Sequence, residues 1–255
     1  MDASQIQLHG DAPTGIENLY VNGKDIQISP NPVKDQLFIK ANFQSDIEQI
    51  HLYIYNVIGQ QIVSQSIPVS GVGGQGILSI ATVIGKAALK EGLYMKQAEV
   101  HGMSQRGGDV QSNLRISDQP IASDLIPSGK CDLIISLEPM EGLRYLPYLS
   151  PEGWLVTNET PFVNIPNYPE EDKVMAEINK LPHKIVLNVD KVAKEVGSAR
   201  VANIVLLGAT IPFLGIDYEK VQDSIREIFL RKGEAIVEMN LKALAAGKEI
   251  AEKLM

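Results

Sequence analysis

The stretch Gly71-Val72-Gly73-Gly74-Gln75-Gly76, followed directly by the apolar segment Ile77–Leu89, decides the fold of this chain. Four glycines in six residues let the backbone turn sharply and approach a neighbouring segment closely. Apolar residues then recur at helical spacing, which predicts a helix that begins beside the glycines. We therefore predict a strand, a tight turn and a helix, the repeating unit of an α/β protein.

The glycine turn admits two interpretations. Gly71, Gly73 and Gly76 match the G-x-G-x-x-G fingerprint of dinucleotide-binding folds, in which a helix N-terminus faces the pyrophosphate. That fingerprint includes an acidic residue about 20 residues farther on, and the nearest candidate, Glu99, comes slightly later. Alternatively, the glycines only let helix and sheet pack closely. On this motif alone we favour the packing turn, and the nucleotide alternative stays open.

Strand and helix patterns alternate after the turn. We expect strands at Tyr94–Val100, Cys131–Leu137, Trp154–Asn158 and Lys184–Val189, and helices at Pro139–Tyr148, Ala199–Leu214, Tyr218–Lys232 and Glu234–Leu254. Such units predict a mainly parallel, Rossmann-like sheet with helices on both faces over residues 67–255. Right-handed crossovers would bring loops that follow parallel strands to one edge of this sheet.

Residues 1–66 read differently. Short alternating runs such as His51–Asn56, broken by Pro30-Asn31-Pro32 and Gly59, predict a small β-rich segment of antiparallel strands. The stretches Ile28–Leu37 and Ile54–Ile62 resemble the β-sandwich sorting domain of the type IX secretion system. That module normally closes a secreted protein, whereas the similar stretches here open the chain and stop near residue 70.

A second glycine-rich loop makes the first one more specific. Glu99–Gly108 reads E-V-H-G-M-S-Q-R-G-G, and Gly197–Ala209 contains G-x-x-R-x-x-N followed by L-G-A. Together with G-V-G-G-Q-G-I, these blocks resemble the gamma-type subunits of 2-oxoacid:ferredoxin oxidoreductases, and within them the small (beta) subunits of indolepyruvate:ferredoxin oxidoreductases. The resemblance extends from about residue 70 to the C-terminus.

This resemblance implies a subunit that is inactive alone. The family oxidatively decarboxylates aryl pyruvates, passing electrons to ferredoxin and the acyl group to coenzyme A. Thiamine diphosphate, Mg²⁺ and [4Fe-4S] clusters are expected in a large alpha subunit, the partner of this chain. The cysteine count agrees, because such clusters usually require four thiolates and Cys131 is the one cysteine present. We expect Cys131 to be a buried structural thiol.

We predict that the two loops form the ligand site, with coenzyme A as a candidate ligand, and we predict no catalytic residue or metal ligand. The cofactor-binding candidates are Gly71, Gly73, Gly74, Gln75, Gly76, Ser104, Gln105, Arg106 and Gly107. Exposed backbone amides beside Arg106 suit a phosphate or carboxylate. Equally, Arg106 can pair with a carboxylate of a neighbouring subunit.

Other polar residues have plainer interpretations. His101 has no nearby nucleophile or second histidine at ligand spacing, so we expect a structural role. Ser198 is expected to be a helix N-cap, with anion binding by Ser198 and Arg200 as the alternative. Glu159 is expected to be a solvated or capping group. The proline-rich, apolar segment 158–169 is a candidate contact with a partner chain.

Composition narrows the function classes. The 255 residues are 44% hydrophobic, enough for a substantial core. A net charge of −8 without a basic run argues against nucleic acid and anionic membranes as partners. The N-terminal residues lack a signal-peptide pattern and no apolar run approaches the roughly 20 residues of a membrane span. We therefore expect a cytoplasmic protein.

The junction between the two parts contains a conflict. Pro68 occupies the place of the first strand of the α/β part, and proline cannot donate a ladder hydrogen bond. We therefore predict a fusion of two truncated modules, in which Ile62–Val69 pairs in the second sheet as a substitute strand. A non-functional fusion, whose N-terminal piece blocks the docking edge, is a further alternative.

Titration of the isolated chain with NAD, FAD and coenzyme A separates the small-subunit hypothesis from a stand-alone nucleotide-binding module. The small-subunit hypothesis predicts weak or no binding of NAD and FAD, because the glycine turn then serves packing and docking. Micromolar binding of either dinucleotide, measured by calorimetry, would favour the alternative.

Overall fold

The computed structural model describes residues 64–101, 109–163 and 165–255, together with short strands in the N-terminal part of the chain. Two compact units are present, Met1–Ile62 and Val63–Met255. The described strands of the first unit are β1 Ile6–Gln7, β2 Asn18–Val21, β3 Lys24–Ser29, β4 Phe38–Ala41 and β5 Leu52–Tyr53. Strands β2, β3 and β4 form an antiparallel sheet, and β1 pairs with β5 in parallel. The resemblance of this unit to a sorting domain stays a prediction.

The second unit is an α/β fold. Its strands are β6 Ser64–Val72, β7 Tyr94–His101, β8 Asp109–Ser117, β9 Cys131–Ser136, β10 Leu149–Asn158 and β11 Lys184–Leu187. Its helices are α1 Ile77–Lys90, α2 Pro139–Arg144, α3 Glu171–Asn179, α4 Val189–Val196, α5 Ala202–Leu214, α6 Tyr218–Phe229 and α7 Glu234–Leu254. Short 3-10 turns extend α2 and α6 and precede α5. The predicted domain boundary after residue 66 falls inside β6.

The six strands form one sheet in the order β11-β10-β9-β6-β8-β7. Neighbours from β11 to β6 are parallel, whereas β8 runs antiparallel to both β6 and β7. The predicted, mainly parallel α/β fold is thereby confirmed. The sequence patterns did not reveal that β7 and β8 form a hairpin, which inserts β8 between β6 and β7.

Pro68 lies in a central strand, contrary to the expectation that proline is unsuited there. In a strand, the N–H and C=O groups of one residue point to one side and those of the next residue point to the other. The partners of Ser66 and Ser70, two residues before and after Pro68, therefore show which side the Pro68 nitrogen faces. Ser66 N donates to Asp132 Oδ2 at 2.6 Å, and Ser70 O accepts from Leu137 N at 3.1 Å, both on the β9 side. Pro68 therefore also turns its nitrogen toward β9, where parallel pairing begins only after it.

This position explains why the proline is tolerated, since the antiparallel ladder with β8 needs no donor from it. The prediction that the segment before the glycine turn joins the second sheet is confirmed for the described residues of β6. The identity of the chain as a fusion of two modules stays a prediction.

Helices cover both faces of the sheet. Helices α1, α5, α6 and α7 pack on one face over the larger core, and α2 and α3 pack on the other. Side chains of strand β9 alternate between the two faces: Leu133 and Ile135 enter the larger core, and Ile134 enters the smaller one. Cys131 is fully buried in the smaller core, as predicted.

Helix α5 is apolar on almost every side because it lies between the sheet and α7. Its crossing with α7 depends on two facing glycines. A Cβ atom on Gly208 would lie 2.1 Å from Leu244 O, and one on Gly247 would lie 1.9 Å from Val205 O. Backbone atoms cannot yield at these distances, so the two helices approach closely only with glycine here. No described helix is both long and apolar enough to cross a bilayer.

We expect Gly247→Ala to lower the free energy of unfolding by about 3 kcal/mol, because the added methyl group forces α5 and α7 apart. Gly85→Ala is the matched control, since the nearest described atom to its new Cβ is Cε at the flexible end of Met95, at 2.8 Å. That variant should stay within about 1 kcal/mol of the parent. Urea denaturation measures the free energy of unfolding of both variants. Equal losses of this free energy in the two variants would contradict the packing argument.

Candidate functional site

The strands that lead into the two glycine-rich loops end at the same edge of the sheet. Val72, the last residue of β6, pairs with Asp109, and His101, the last residue of β7, pairs with Val110. The two strand ends therefore lie side by side, separated only by β8. This agrees with the expectation that both loops begin at the carboxyl edge of the sheet.

The second loop itself, residues 102–108, lies outside the described residues. The predicted site residues Ser104, Gln105, Arg106 and Gly107 belong to it. Their role in ligand binding stays a prediction, as does the choice between an anion and a partner carboxylate for Arg106.

The first loop is closed by the side chain of Gln75. Gln75 N donates to Val72 O at 3.1 Å, and Val72 N donates back to Gln75 Oε1 at 2.7 Å. Gln75 Nε2 also donates to Leu137 O at 3.3 Å, at the end of β9. The predicted ligand residue Gln75 therefore uses its amide group within the chain, where it ties the turn to the neighbouring strand.

Two of the predicted glycines combine a positive φ, which favours glycine, with close packing against neighbouring side chains. A Cβ on Gly71 would lie 2.5 Å from Ile77 Cδ1. Gly76, with φ +86°, begins helix α1 in a left-handed conformation, and its Cβ would lie 2.6 Å from Asn203 Nδ2. Asn203 Nδ2 donates to Gly76 O at 3.2 Å. At these positions the glycines perform the packing function that the sequence favoured.

Gly74 differs, because it is exposed and faces open space. Apart from Gly74 and its two chain neighbours, no atom of the residues that the structure describes lies within 4 Å of the position that its Cβ would take. It separates two concave regions. The first, which we name the turn cavity, measures about 390 Å³ and is lined by Val72, Gly73, Gly74, Gly76, Ile77, Leu78 and Val110. The predicted Gly73 and Gly74 thus border a space that a ligand can enter.

The second region, which we name the arginine groove, measures about 270 Å³. Gly74 lines it as well, so the two spaces meet at the turn. Its polar lining residues come from four segments of the chain and are Gln75, Asn158, Thr160, Asp190, Arg200 and Asn203. Its apolar wall is formed mainly by Leu137, Pro161, Phe162 and Val189.

Arg200 and Asp190 give the groove its charge. The guanidinium of Arg200 is exposed and forms no hydrogen bond or ion pair with any residue that the structure describes. Ser198 Oγ accepts from Arg200 N at 3.3 Å, which confirms Ser198 as an N-cap. Asp190 Oδ2 accepts from Asn158 Nδ2 at 3.3 Å. The groove therefore offers one cation and one carboxylate at different places.

A buried carboxylate holds the proline-rich segment that borders this groove. Glu138 is 1% exposed and caps α2 by accepting from Glu141 N at 2.8 Å. The same carboxylate accepts from Phe162 N at 3.4 Å and from Tyr168 OH. Burial and this carboxylate raise the pKa of the Tyr168 phenol. Phe162 is thus held at its backbone while the residue stays 46% exposed.

Glu159, in the same segment, has the modest role expected from the sequence. Its Oε1 atom accepts from Asn188 Nδ2 at 2.8 Å, and Asn188 Oδ1 in turn caps α4 by accepting from Lys191 N at 2.7 Å. Glu159 therefore supports a helix cap, and nothing in its contacts suggests a general base.

A charged cluster at the base of the second loop was missed by the sequence analysis. Tyr145 OH donates to Asp109 Oδ2 at 3.1 Å, and Arg144 binds both oxygens of Glu141, at 2.7 and 3.1 Å. Burial raises the pKa of Glu141, and the nearby charge of Asp109 adds to the effect. The spacing of Glu141 and Arg144 predicts their pair, but nothing in the sequence places Asp109 beside them.

The described residues do not form a metal or cluster site. No group of three or more His, Cys, Asp or Glu side chains in the described ranges is arranged to hold a metal ion. Cys131 is fully buried, and burial raises the pKa of its thiol, so the thiolate needed for ligation is disfavoured. These residues do not fit an iron–sulfur cluster.

Comparison with known proteins gives consistent matches for this unit. Residues 66–250 match the pyruvate ferredoxin/flavodoxin oxidoreductase family. The chain is 37% identical to the indolepyruvate oxidoreductase subunit IorB of Archaeoglobus fulgidus over 191 residues, 71% of this chain and 92% of the relative.

Two solved structures share the fold. The keto/oxoacid ferredoxin oxidoreductase gamma subunit of Geobacter sulfurreducens is 30% identical, with a TM-score of 0.56 over 74% of this chain and 99% of that one. The 2-oxoglutarate:ferredoxin oxidoreductase of Magnetococcus marinus, solved with 2-oxoglutarate, coenzyme A and succinyl-CoA bound, gives 0.61 at 22% identity. The match covers 75% of this chain but only 32% of that chain.

The pKa of Glu141 in the folded protein is raised above its ordinary value of 4.5, so the folded state binds this proton more tightly than the unfolded state. The free energy of unfolding therefore falls as the pH rises from 4.5 through the raised pKa. We therefore expect Glu141→Gln to raise the melting temperature at pH 8, by removing a buried charge beside Asp109. The gain should vanish as the pH approaches 4.5, the ordinary pKa of Glu.

Glu238→Gln is the matched control. Glu238 is exposed and its pKa is lowered by Lys242, so its contribution has the opposite sign and is lost as the pH falls. That variant should be no more stable than the parent at pH 8. A Glu141→Gln variant that is less stable than the parent at pH 8 would contradict the assignment.

Proposed function

This chain belongs to the pyruvate ferredoxin/flavodoxin oxidoreductase family, and we propose that it is the small subunit of an indolepyruvate-type 2-oxoacid:ferredoxin oxidoreductase. The complete enzyme would oxidise an aryl pyruvate, release CO₂, transfer the acyl group to coenzyme A and pass two electrons to ferredoxin. This subunit would complete the assembly and would have no activity alone.

The observation that carries the proposal is the placement of both loop bases at one edge of the sheet. Open α/β sheets bind ligands outside the carboxyl ends of their strands. The same edge presents Phe162, Val163 and Ile165, which are 46%, 62% and 36% exposed. Because Glu138 fixes this segment at Phe162 N and Tyr168 OH, it forms a preorganised apolar surface suited to a large partner subunit.

The cofactor chemistry would belong to the partner. Thiamine diphosphate with Mg²⁺ supplies the decarboxylation and [4Fe-4S] clusters supply electron transfer when bound, and we assign both to the large alpha subunit. This chain has one cysteine, which is buried, and therefore cannot supply the usual four thiolates. What it can offer is Arg200 and the backbone around Gly74, which suit the anionic groups of coenzyme A.

The stand-alone nucleotide-binding module is the competing function. In dinucleotide-binding folds the strand after the first helix lies directly beside the first strand, and its acidic end binds the ribose. Here β8 separates β6 from β7. A dinucleotide on the glycine turn would therefore lack its usual ribose ligand, which favours the small-subunit function.

The N-terminal unit is proposed to be a separate β-rich domain preceding the oxidoreductase domain, and the whole chain is proposed to act in the cytoplasm. A reducing compartment suits ferredoxin-linked chemistry and a chain that cannot form an internal disulfide. A natural fusion and a non-functional one are distinguished by the experiment that follows.

Co-expression of the tagged full chain with the large thiamine-dependent subunit of its own organism should yield a stable complex. The complex should reduce ferredoxin with indolepyruvate and coenzyme A, and with a higher kcat/KM than with pyruvate, whereas the isolated chain should be inactive. A chain shortened to residues 63–255 is the control. If the shortened chain binds the large subunit and the full chain does not, the N-terminal unit blocks docking. Lack of association by both, or turnover by either chain alone, would refute the proposal.

A further inference from the structure

We propose that strand β7 is the interface of a homodimer, in which two copies of this chain pair their β7 strands antiparallel about a twofold axis at Gln97. This inference goes beyond the proposed function and does not depend on the large subunit. It rests on the open edge of the strand, on the one register that fits this edge, and on exposed apolar side chains that match across that register.

Strand β7 ends the sheet. Among the strands that the structure describes, it pairs with β8 alone, and its register with β8 is continuous over Tyr94–His101. A proline or a bulge would keep another strand from pairing there, and β7 contains no proline and no break in its register. The charge of Lys96 is held by its own chain, because Nζ donates to Ala122 O at 3.1 Å. The edge is therefore available to a second strand.

The peptide groups that β7 turns outward follow from the register of the sheet. Pro68 pairs with Asn113 of β8 and turns its nitrogen toward β9, so the N–H and C=O of Asn113 point away from β6 and toward β7. Ala98, which pairs with Asn113, therefore bonds to β8. The peptide groups of Gln97, and of alternate residues on either side of it, then point to the open edge.

One register of two β7 strands satisfies both the backbone and the side chains. With Gln97 opposite Gln97 of the second copy, Met95 lies opposite Glu99, and all three turn their peptide groups outward. The same register places Tyr94 opposite Val100. These two residues are 50% and 56% exposed and lie on one face of the strand. Aromatic and β-branched side chains form stabilising cross-strand pairs, so each covers the other in the dimer.

Neighbouring registers are less favourable. An axis at residue 96 would place Lys96 opposite Lys96 of the second copy, and an axis at residue 99 would do the same with Glu99. Like charges directly opposite each other are destabilising. An axis at Ala98 would oppose Lys96 to Val100 and leave Tyr94 without a partner in β7. Axes farther toward either end shorten the paired segment.

Helix α1 adds apolar surface beside the same edge. Leu78 and Leu89 are 36% and 57% exposed and share one side of the helix with Gly85. That side faces β7, because a Cβ on Gly85 would lie 2.8 Å from Met95 Cε. Specific interfaces bury roughly 800 Å² per partner, and the two leucines enlarge the surface that the strand edge alone provides.

The test is sedimentation velocity of the full chain over a range of concentrations. The parent should sediment as a dimer, with twice the 27.9 kDa mass of the chain. Gln97→Pro should weaken dimerisation roughly tenfold or more, because each copy loses an outward N–H donor. The β7–β8 ladder should stay intact, since this N–H does not point to β8.

Gln97→Ala is the matched control. This variant loses the same side-chain hydrogen bonds, to Ser112 Oγ and Glu99 Oε1, and keeps the backbone N–H. It should dimerise like the parent. Melting temperatures of all variants establish that they are folded.

Oxidative cross-linking tests the register. The double variant Tyr94→Cys with Val100→Cys should form a covalent dimer, because the two positions face each other across the axis. Lys96→Cys with Val100→Cys is the control, since that pair would face each other only with an axis at Ala98. Within one chain, strand residues rise about 3.3 Å each, so neither pair can close a disulfide. The natural Cys131 is buried and does not interfere.

A monomeric parent chain overturns the proposal, and so does a Gln97→Pro variant that dimerises like the parent. Cross-linking of the control pair as fast as the Tyr94 and Val100 pair also overturns it. Association with the large subunit is measured on the same variants. If the parent alone is monomeric and Gln97→Pro loses only that association, β7 binds the large subunit instead, and this inference fails while the small-subunit function stands. A parent dimer that binds no large subunit supports this inference and refutes that function.

Discussion

The glycine turn after the central strand keeps its shape because two side-chain amides, those of Gln75 and Asn203, hold it. Gln75 bridges Val72 to the end of β9, and Asn203 reaches from the start of α5 to the carbonyl of Gly76. Elements distant in the sequence thereby meet at one point. The turn is consequently a fixed part of the sheet edge, and the spaces on either side of it have defined walls.

The sheet around this turn is divided into two halves. Strands β6, β9, β10 and β11 are parallel and have helices on both faces. The other half is the β7–β8 hairpin, where Lys96 and Arg115 donate hydrogen bonds to backbone carbonyls of residues 122–125. The hairpin brings the strand ends that flank the second glycine-rich loop beside the end of β6, where the first loop begins. A purely parallel arrangement with β7 next to β6 would have left no room for β8 and its contact between Asp109 and Tyr145.

Charge is distributed around this edge according to burial. The buried carboxylates Glu138 and Glu141 have hydrogen-bond donors close by, as buried charges require. Arg200, in contrast, is exposed in the groove without a partner in the described part of the chain. A cation left available beside an open glycine backbone is an arrangement suited to binding an anion, and it lies where related folds bind their ligands.

Much of the fold was predictable from local pattern. The helical spacing after Gly76, the apolar runs of β9 to β11 and the apolar α5 each follow from periodicity, which short-range physics dictates. The fusion-like junction was also visible at Pro68, but its outcome was not. Whether a proline is tolerated depends on which side of the strand its nitrogen faces, and only the register with β8 and β9 decides that.

The sequence by itself determined the α/β class, the glycine turn and the family resemblance, because these depend on residue type and on spacing along the chain. The tertiary structure decided the hairpin insertion, the pairing of Asp109 with Tyr145, the crossing at Gly208 and Gly247, and the meeting of Arg200 with Phe162 in one groove. Each of these joins residues separated by dozens of positions. Such contacts are set by strand order and helix packing, which no local pattern encodes.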